Sequence, residues 1–215
     1  MRDLLRATAG ERLGLAEYDA DFYATVESVD GPILKTERIQ TFREPGSPSW
    51  EAFAEGRWEE ALRLAAEPDP ELVRFFQQLE ERGSGLCRLR IVESPFTPYL
   101  IWELHFLKYR ADAGEQIWVL DAGAVASSEH IHGPVPELMV TGRQAVYEVV
   151  YDETGTPVGA DKFVAPGVVE VCRKQVLALL DVAEPFEPFF RREVDGTRPS
   201  TVVAQEPPDA GTGTG

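Results

Sequence analysis

The sequence predicts an α/β to α+β fold: a mixed sheet in which a strand–helix–strand unit is followed by an antiparallel meander, all covered by helices. Three observations predict it. "LCRLRIV" (86–92) is followed by helix-starting residues and then by a second apolar run, "QIWVL" (116–120), the pattern of a parallel pair with a right-handed crossover. From 137 to 164 the pattern becomes short β-rich runs separated by "TGR" and "ETGT", with Gly142 and Gly155 suited to tight turns. On either side, apolar residues recur at helical spacing.

Taken in order, residues 3–18 can form one amphipathic helix anchored by Leu4, Leu5, Leu13 and Leu15, although Gly10 and Gly14 weaken it. "PILKTERIQTF" (32–42) alternates as a strand, with Ile33, Lys35, Glu37 and Ile39 on one parity. Ser47 or Ser49 can cap a helix over 50–67 that either continues or divides at Gly56. Asp69-Pro70 starts the next helix, with Leu72, Phe75, Phe76 and Leu79 along it, and Gly83 ends it. In 86–92, Cys87, Leu89 and Ile91 share one face while Arg88 and Arg90 share the other. Thr97 and Pro98 open an aromatic-rich helix running to about Asp112, and Gly114 stops it.

Residues 121–136 read as a long connection, and the strands 137–140, 144–152 and 157–164 as the meander. A closing helix follows, with Val169, Cys172, Val176 and Leu180 on one side, and Pro185 and Pro188 limit what comes after it. The expected organisation is a helical extension over 1–31, a globular domain over 32–192 and a disordered tail over 193–215.

Composition narrows the function classes. Hydrophobic residues at 43% are enough to build a core. A formal net charge of −16 repels phosphate backbones, so direct nucleic-acid binding is not expected. Cys87 and Cys172 lie inside apolar segments and read as buried thiols, not a disulfide framework. The first residues are too charged for a signal peptide, and no apolar run approaches the roughly 18 residues that span a bilayer. A soluble cytoplasmic protein with no membrane partner is the expectation.

Phosphate loops, dinucleotide fingerprints, nucleophile elbows and H-E-x-x-H motifs are absent, and no cofactor is expected. "EHIH" offers Glu129, His130 and His132, but a zinc site needs a further ligand, so a solvated loop is the expectation and no metal is assigned. The aromatic helix is richer. Tyr99, Trp102, Phe106 and Tyr109 make one side of a helix buried on two sides. Glu103 and Arg110, two turns apart, can line one groove with His105 nearby, joined by Glu115 and by Arg88 or Arg90 from the preceding strand. The candidate pocket is therefore Arg88, Arg90, Tyr99, Trp102, Glu103, His105, Arg110 and Glu115. These residues suit either a structural Arg–Glu network or a polar pocket at the carboxyl ends of the strands.

"WEAFAEGRWEEAL", "LRIVESPFTPYLIWEL", "YRADAGEQIWVL" and "VYEVVYDETGTPVGA" together resemble an uncharacterised actinobacterial family. That family's core reads R-V-R-V-V-x-x-P-x-x-x-Y-x-x-[FW]-E-L followed by A-G-E-x-I-x-V-x. The matching positions are Arg88, Arg90, Pro95, Tyr99, Trp102, Glu103, Gly114 and Glu115. The resemblance runs from about residue 32 to about residue 192. Its members are often encoded beside small helix-turn-helix regulators, which implies such a regulator as a partner. A weaker resemblance is to one half of a phospholipase D-like domain, whose H-x-K-x(4)-D motif is missing here.

The expected function is a non-enzymatic protein that binds a partner protein or a small ligand within a regulatory system. The alternative is a small-metabolite enzyme in which Glu103 or His105 acts as general base and an arginine holds an anion. A third expectation, self-assembly, rests on exposure of the tryptophans between 50 and 58.

Overall fold

The computed structural model describes residues 1–199. The first half of the chain contains α1 (Arg2–Arg6), β1 (Glu11–Gly14), α2 (Leu15–Val26), β2 (Ile33–Glu37), α3 (Pro48–Ala54), α4 (Trp58–Ala65), α5 (Pro70–Glu81) and β3 (Leu86–Val92). Then come α6 (Pro98–Asp112), β4 (Gln116–Asp121), α7 (Ala126–His132), β5 (Leu138–Thr141), β6 (Ala145–Tyr151) and β7 (Pro157–Phe163). The last elements are α8 (Pro166–Leu180), β8 (Glu184–Pro185) and α9 (Phe186–Glu193).

The strands form one mixed sheet in the order β1-β7-β6-β5-β2-β3-β4-β8. The β2-β3 and β3-β4 pairs are parallel, and every other pair is antiparallel. The predicted strand–helix–strand unit is therefore β3-α6-β4, and the predicted meander is β5-β6-β7. Neighbouring residues on β2 show the two faces. Ile33 joins Phe22, Val26, Phe76 and Leu79 beneath α2 and α5, while Leu34 joins Val169, Cys172 and Val176 beneath α8. Farther along the first face, Ile117 and Val119 pack with Leu100, Leu104 and Leu107 of α6 and with α9. The outer side of α6 is covered in turn by α3 and α4, where Trp102 stacks on Phe53.

Local chemistry explains the helix starts. The Asp69 side chain accepts from the backbone N–H of Glu71 and Leu72, and Thr97 accepts from Leu100, each just before a proline at the first helical position. Gly56, at φ 79°, divides α3 from α4.

Several expectations are corrected. The helix predicted over 3–18 is divided: α1 ends by Arg6, and Glu11–Gly14 becomes the edge strand paired with β7. The weak glycines mark that division, and Leu5 and Leu13 are buried in different core clusters. The first 31 residues thus supply a strand to the sheet as well as helices.

The strand expected over 32–42 stops at Glu37 because the next two backbone N–H groups, of Arg38 and Ile39, donate to the Glu137 carboxylate instead of to a ladder. The connection after β4 contains α7. Beyond α8 lie β8 and α9, where Pro188 is tolerated because the first helical turn has no intrahelical acceptors for its N–H groups. Val194 is fully buried and Arg198 pairs with Glu59, so packing continues past residue 193, where the disordered tail was expected to begin; its remainder, 200–215, lies outside the described residues. Trp50 and Trp58 are partly buried against the α3–α4 cluster, not exposed.

Gly159 fixes the attachment of β1. At φ 148° a Cβ there would lie 2.1 Å from the Leu13 carbonyl oxygen. Gly159→Ala should cost at least about 2 kcal/mol in urea unfolding. Gly167→Ala, in α8 with nothing within 4 Å of its added Cβ, should leave the midpoint unchanged or slightly raised. Equal midpoints for the two variants would show that β1 is not held by this close approach.

Candidate functional site

The site begins with strand parity. Lys35 and Glu37 alternate with the buried Leu34 and Thr36, and Arg88 and Arg90 alternate with the buried Leu89 and Ile91. The parallel register sets Lys35 opposite Arg88 and Glu37 opposite Arg90, so the charged side chains share the face that α6 covers. α6 adds Tyr99, Glu103 and Arg110, and the turn that ends it adds Glu115.

These groups meet in an alternating chain. Lys35 Nζ lies 2.7 Å from Glu37 Oε1, and Arg88 Nη1 donates to the same oxygen at 2.5 Å. Arg88 Nε donates to Glu115 Oε1 at 2.6 Å, and Arg110 Nε donates to Glu115 Oε2. A separate pair joins Arg90 Nε to Glu103 Oε2 at 2.8 Å. Arg90 Nη2 is 2.7 Å from that oxygen but is not aligned for a hydrogen bond. The inner members are deeply buried, Arg88 at 5% exposure and Arg90 at 0%. The chain ends, Lys35 and Arg110, keep 26% and 24% of their side chains exposed.

Burial disfavours every ionised carboxyl here, and the neighbours decide the outcome. Burial would raise Glu115, but Arg88 and Arg110 hold it below the usual range. Burial likewise opposes Glu37, and Arg88, Lys35 and Arg90 hold it low. Glu103 goes the other way. Burial, helped by Glu37 and Glu44, pushes it up to about 7 against the pull of Arg90. Glu44, which accepts from the Tyr99 hydroxyl, is raised by burial, and Glu137 is pushed up by burial to about 7.

Over this layer opens a cleft of about 290 Å³, walled by α6, the loop after β2 and the β6-β7 hairpin. Of the residues predicted from sequence, Arg88, Tyr99, Glu103 and Arg110 line it. Arg90 and Glu115 sit behind them as partners. Trp102 is sealed away, its indole N–H donating to Ser49 Oγ at 3.0 Å. His105 turns from the cleft and packs between Trp58 and Phe190, where burial lowers its pKa.

Sequence reasoning missed Lys35, Glu37, Arg43, Glu44 and Tyr151. The available signal was two charged residues, Lys35 and Glu37, on one parity of a predicted strand, a weaker form of the alternation that marks Arg88 and Arg90. "EHIH" lies on α7, not in a loop. Glu129 there pairs with Arg38 and His132 with Asp3. Among the described residues no group of three or more His, Cys, Asp or Glu could hold a metal ion, and no helix is long and apolar enough to cross a membrane.

Fold and site together define a mixed α/β domain with a charged cleft between its parallel strands and one covering helix. The chain belongs to the family described as domain of unknown function (DUF6879), whose profile matches residues 20–191. No curated protein matches the chain. Among solved structures it is similar to TrmBL2, an archaeal chromatin protein with a novel mode of DNA binding, at TM-score 0.43 and 9% identity. That match covers 84% of this chain and 55% of that one, so the chain spans about half of TrmBL2's length. It is also similar to Nuc, a phospholipase D family member from Salmonella typhimurium, at TM-score 0.46 and 10% identity, over 81% of this chain and 97% of that one. Both likenesses are weak and imply nothing about activity.

Glu115→Ala strands the buried Arg88 beside an empty carboxylate position and should cost about 3–5 kcal/mol in urea unfolding. Arg63→Ala, in an exposed pair with Glu67, should stay within about 0.5 kcal/mol of the parent; similar losses would contradict the buried network. Folded Glu137 titrates at about 7, above its ordinary 4.5, so the unfolded chain releases that proton first. The stability that this group contributes is therefore fully present below about 4.5 and is lost as pH rises to about 7. Glu103 shares the slope, and Glu137→Gln should reduce it in urea midpoints taken at the two ends of that window. An unchanged slope would contradict the assignment.

Proposed function

We propose that this chain is a non-catalytic binding domain that takes a small polar ligand in the cleft between α6 and the sheet. One observation carries the reading: the contact between α6 and the sheet is charged where it borders the cleft, with Arg90 and Glu115 directly behind the lining residues, and apolar under the rest of the helix. A well-packed apolar layer would hold the helix at similar or greater stability, so the charges call for a role beyond packing. Aromatic walls with convergent polar groups are the usual makeup of a small-molecule site. Binding is favoured over turnover because Glu37 is pinned by cations, the Tyr99 hydroxyl is engaged by Glu44, and no Ser, Thr, Cys or His is among the described lining residues. In this reading occupancy of the cleft is the signal that a partner protein, such as a small helix-turn-helix regulator, would sense.

A second reading has one observation in its favour. Glu103 lines the cleft and titrates near 7, the value that suits a general acid–base. It would make the chain a small-metabolite enzyme.

Thermal unfolding of the chain across a panel of amino acids, organic acids, amines and nucleotides separates the readings. A ligand at about a hundredfold its Kd adds about 2.7 kcal/mol, which for a chain of this size raises Tm by roughly 5–10 °C. The binding reading expects such a rise for one chemical class, with every panel member recovered unchanged. A flat panel contradicts it, and turnover of a member establishes the second reading.

A further inference from the structure

We infer that the ligand of this cleft is a small oxyanion, a carboxylate or a phosphate monoester, carried on a ring. The inference rests on the binding reading above and adds the ligand's chemical class.

The alternating chain Lys35–Glu37–Arg88–Glu115–Arg110 begins and ends on a cation. Its three cations outnumber its two carboxylates. Both ends, unlike the middle, are partly exposed. The Arg90–Glu103 pair beside it adds no net charge when both are ionised, and protonation of Glu103 leaves Arg90's cation in excess. The donors are also less fully engaged than the acceptors. Arg88 uses Nε and Nη1 on Glu115 and Glu37, leaving Nη2 without an acceptor among the described residues. Arg110 uses only Nε, so both of its terminal nitrogens remain. Lys35 gives one contact from a group with three N–H bonds.

At the mouth, Arg43 makes no ion pair among the described residues and lies over the Trp50 ring, 5.9 Å from its centroid. The lining carboxylates, by contrast, already have donors: Glu37 from Lys35 and Arg88, Glu44 from Tyr99, Glu103 from Arg90. Each of them still has one oxygen with no donor among the described residues, Glu37 Oε2, which is buried, Glu44 Oε2 and Glu103 Oε1, but the free nitrogens of Lys35, Arg43, Arg88 and Arg110 outnumber these three oxygens. A site whose free N–H groups outnumber its free carboxylate oxygens selects an anion, and planar guanidinium groups suit a two-oxygen or three-oxygen head. In a chain of net charge −16 this concentration of unspent donors is a local reversal of sign.

The ring follows from the walls. Phe42, Tyr99, Phe106 and Tyr151 line the same cleft, and the Phe42 and Tyr151 rings lie 4.9 Å apart, tilted by 30°. Such surfaces bury a flat apolar body once its charged head is held.

The test uses the chain over residues 1–215 and isothermal titration with benzoate, phenyl phosphate, acetate, inorganic phosphate, benzylamine and benzyl alcohol. Benzoate, phenyl phosphate or both should bind, with benzylamine and benzyl alcohol at least tenfold weaker; which of the two anions wins tells carboxylate from phosphate. Arg110→Gln should weaken the bound anion at least tenfold. Because Arg110 also supports Glu115, Arg43→Glu provides a second variant: it breaks no ion pair, should melt with the parent, and should weaken the same anion at least tenfold. Benzylamine or benzyl alcohol binding as well as the anions overturns the oxyanion. Acetate and inorganic phosphate binding as tightly as their ring-bearing counterparts overturns the ring. Binding unchanged in both variants overturns the placement. If these probes fail while a member of the wider panel stabilises the chain, the inference falls and the binding reading stands; if nothing stabilises it, both fall.

Discussion

The structure depends on one buried ionic layer. Arg88 sits near the middle of β3, the strand parallel to both of its neighbours, and its guanidinium bridges Glu37 of β2 and Glu115 at the end of α6. That single side chain ties the sheet's centre to its covering helix. Removing a charge of this kind from water is expensive, and the cost is recovered only when every partner is in place. The partners come from separate elements: Glu37 ends β2, Glu103 lies on α6, and Glu115 follows the Gly114 turn. The layer therefore specifies the relative placement of β2, β3 and α6 more sharply than an oily contact would.

The surroundings follow from that requirement. On the same sheet face, apolar clusters lie on either side of the charged strip, one under α2 and α5 and the other under α6 and α9. The strip cannot be closed by apolar packing, so a cleft remains. Its far wall comes from the hairpin of β6 and β7, docked through the Arg43 N–H donating to the Gly155 carbonyl at 2.9 Å. Glu137 shapes the approach by capturing the Arg38 and Ile39 N–H groups, which ends β2 and turns the chain toward the mouth.

Much of this was legible in the sequence where one residue type has one physical use. Asp69-Pro70 and Thr97-Pro98 marked helix starts, and the alternation of 86–92 marked both the strand and the charged side it presents. Glu103 and Arg110, two turns apart, were expected in one groove and both line the cleft. The remainder depended on contacts distant in sequence. Nothing local in 32–42 shows that a carboxyl about a hundred residues away will take its amides, so the strand was read too long. The place of His105 in the helix suggests the cleft, yet α4 and α9 enclose it through Trp58 and Phe190. Lys35 and Glu37 carried the same alternation as Arg88 and Arg90, but their pairing across the sheet became evident only with the parallel register. The β1 edge strand was hidden because "ERLG" is short, and its place depends on Gly159 admitting a close backbone approach.

The central claim is that the ionic layer is kept for binding and that packing alone would not require it. The most direct measurement is urea unfolding of the variant Glu37→Leu, Arg88→Met, Glu115→Leu with and without the ring-bearing oxyanion that binds the parent. All three buried charges leave together, so none is stranded. The account predicts a midpoint equal to or above the parent's in the absence of ligand and no further rise when ligand is added. A variant that unfolds much more readily, or one whose midpoint still rises with ligand as the parent's does, would contradict it.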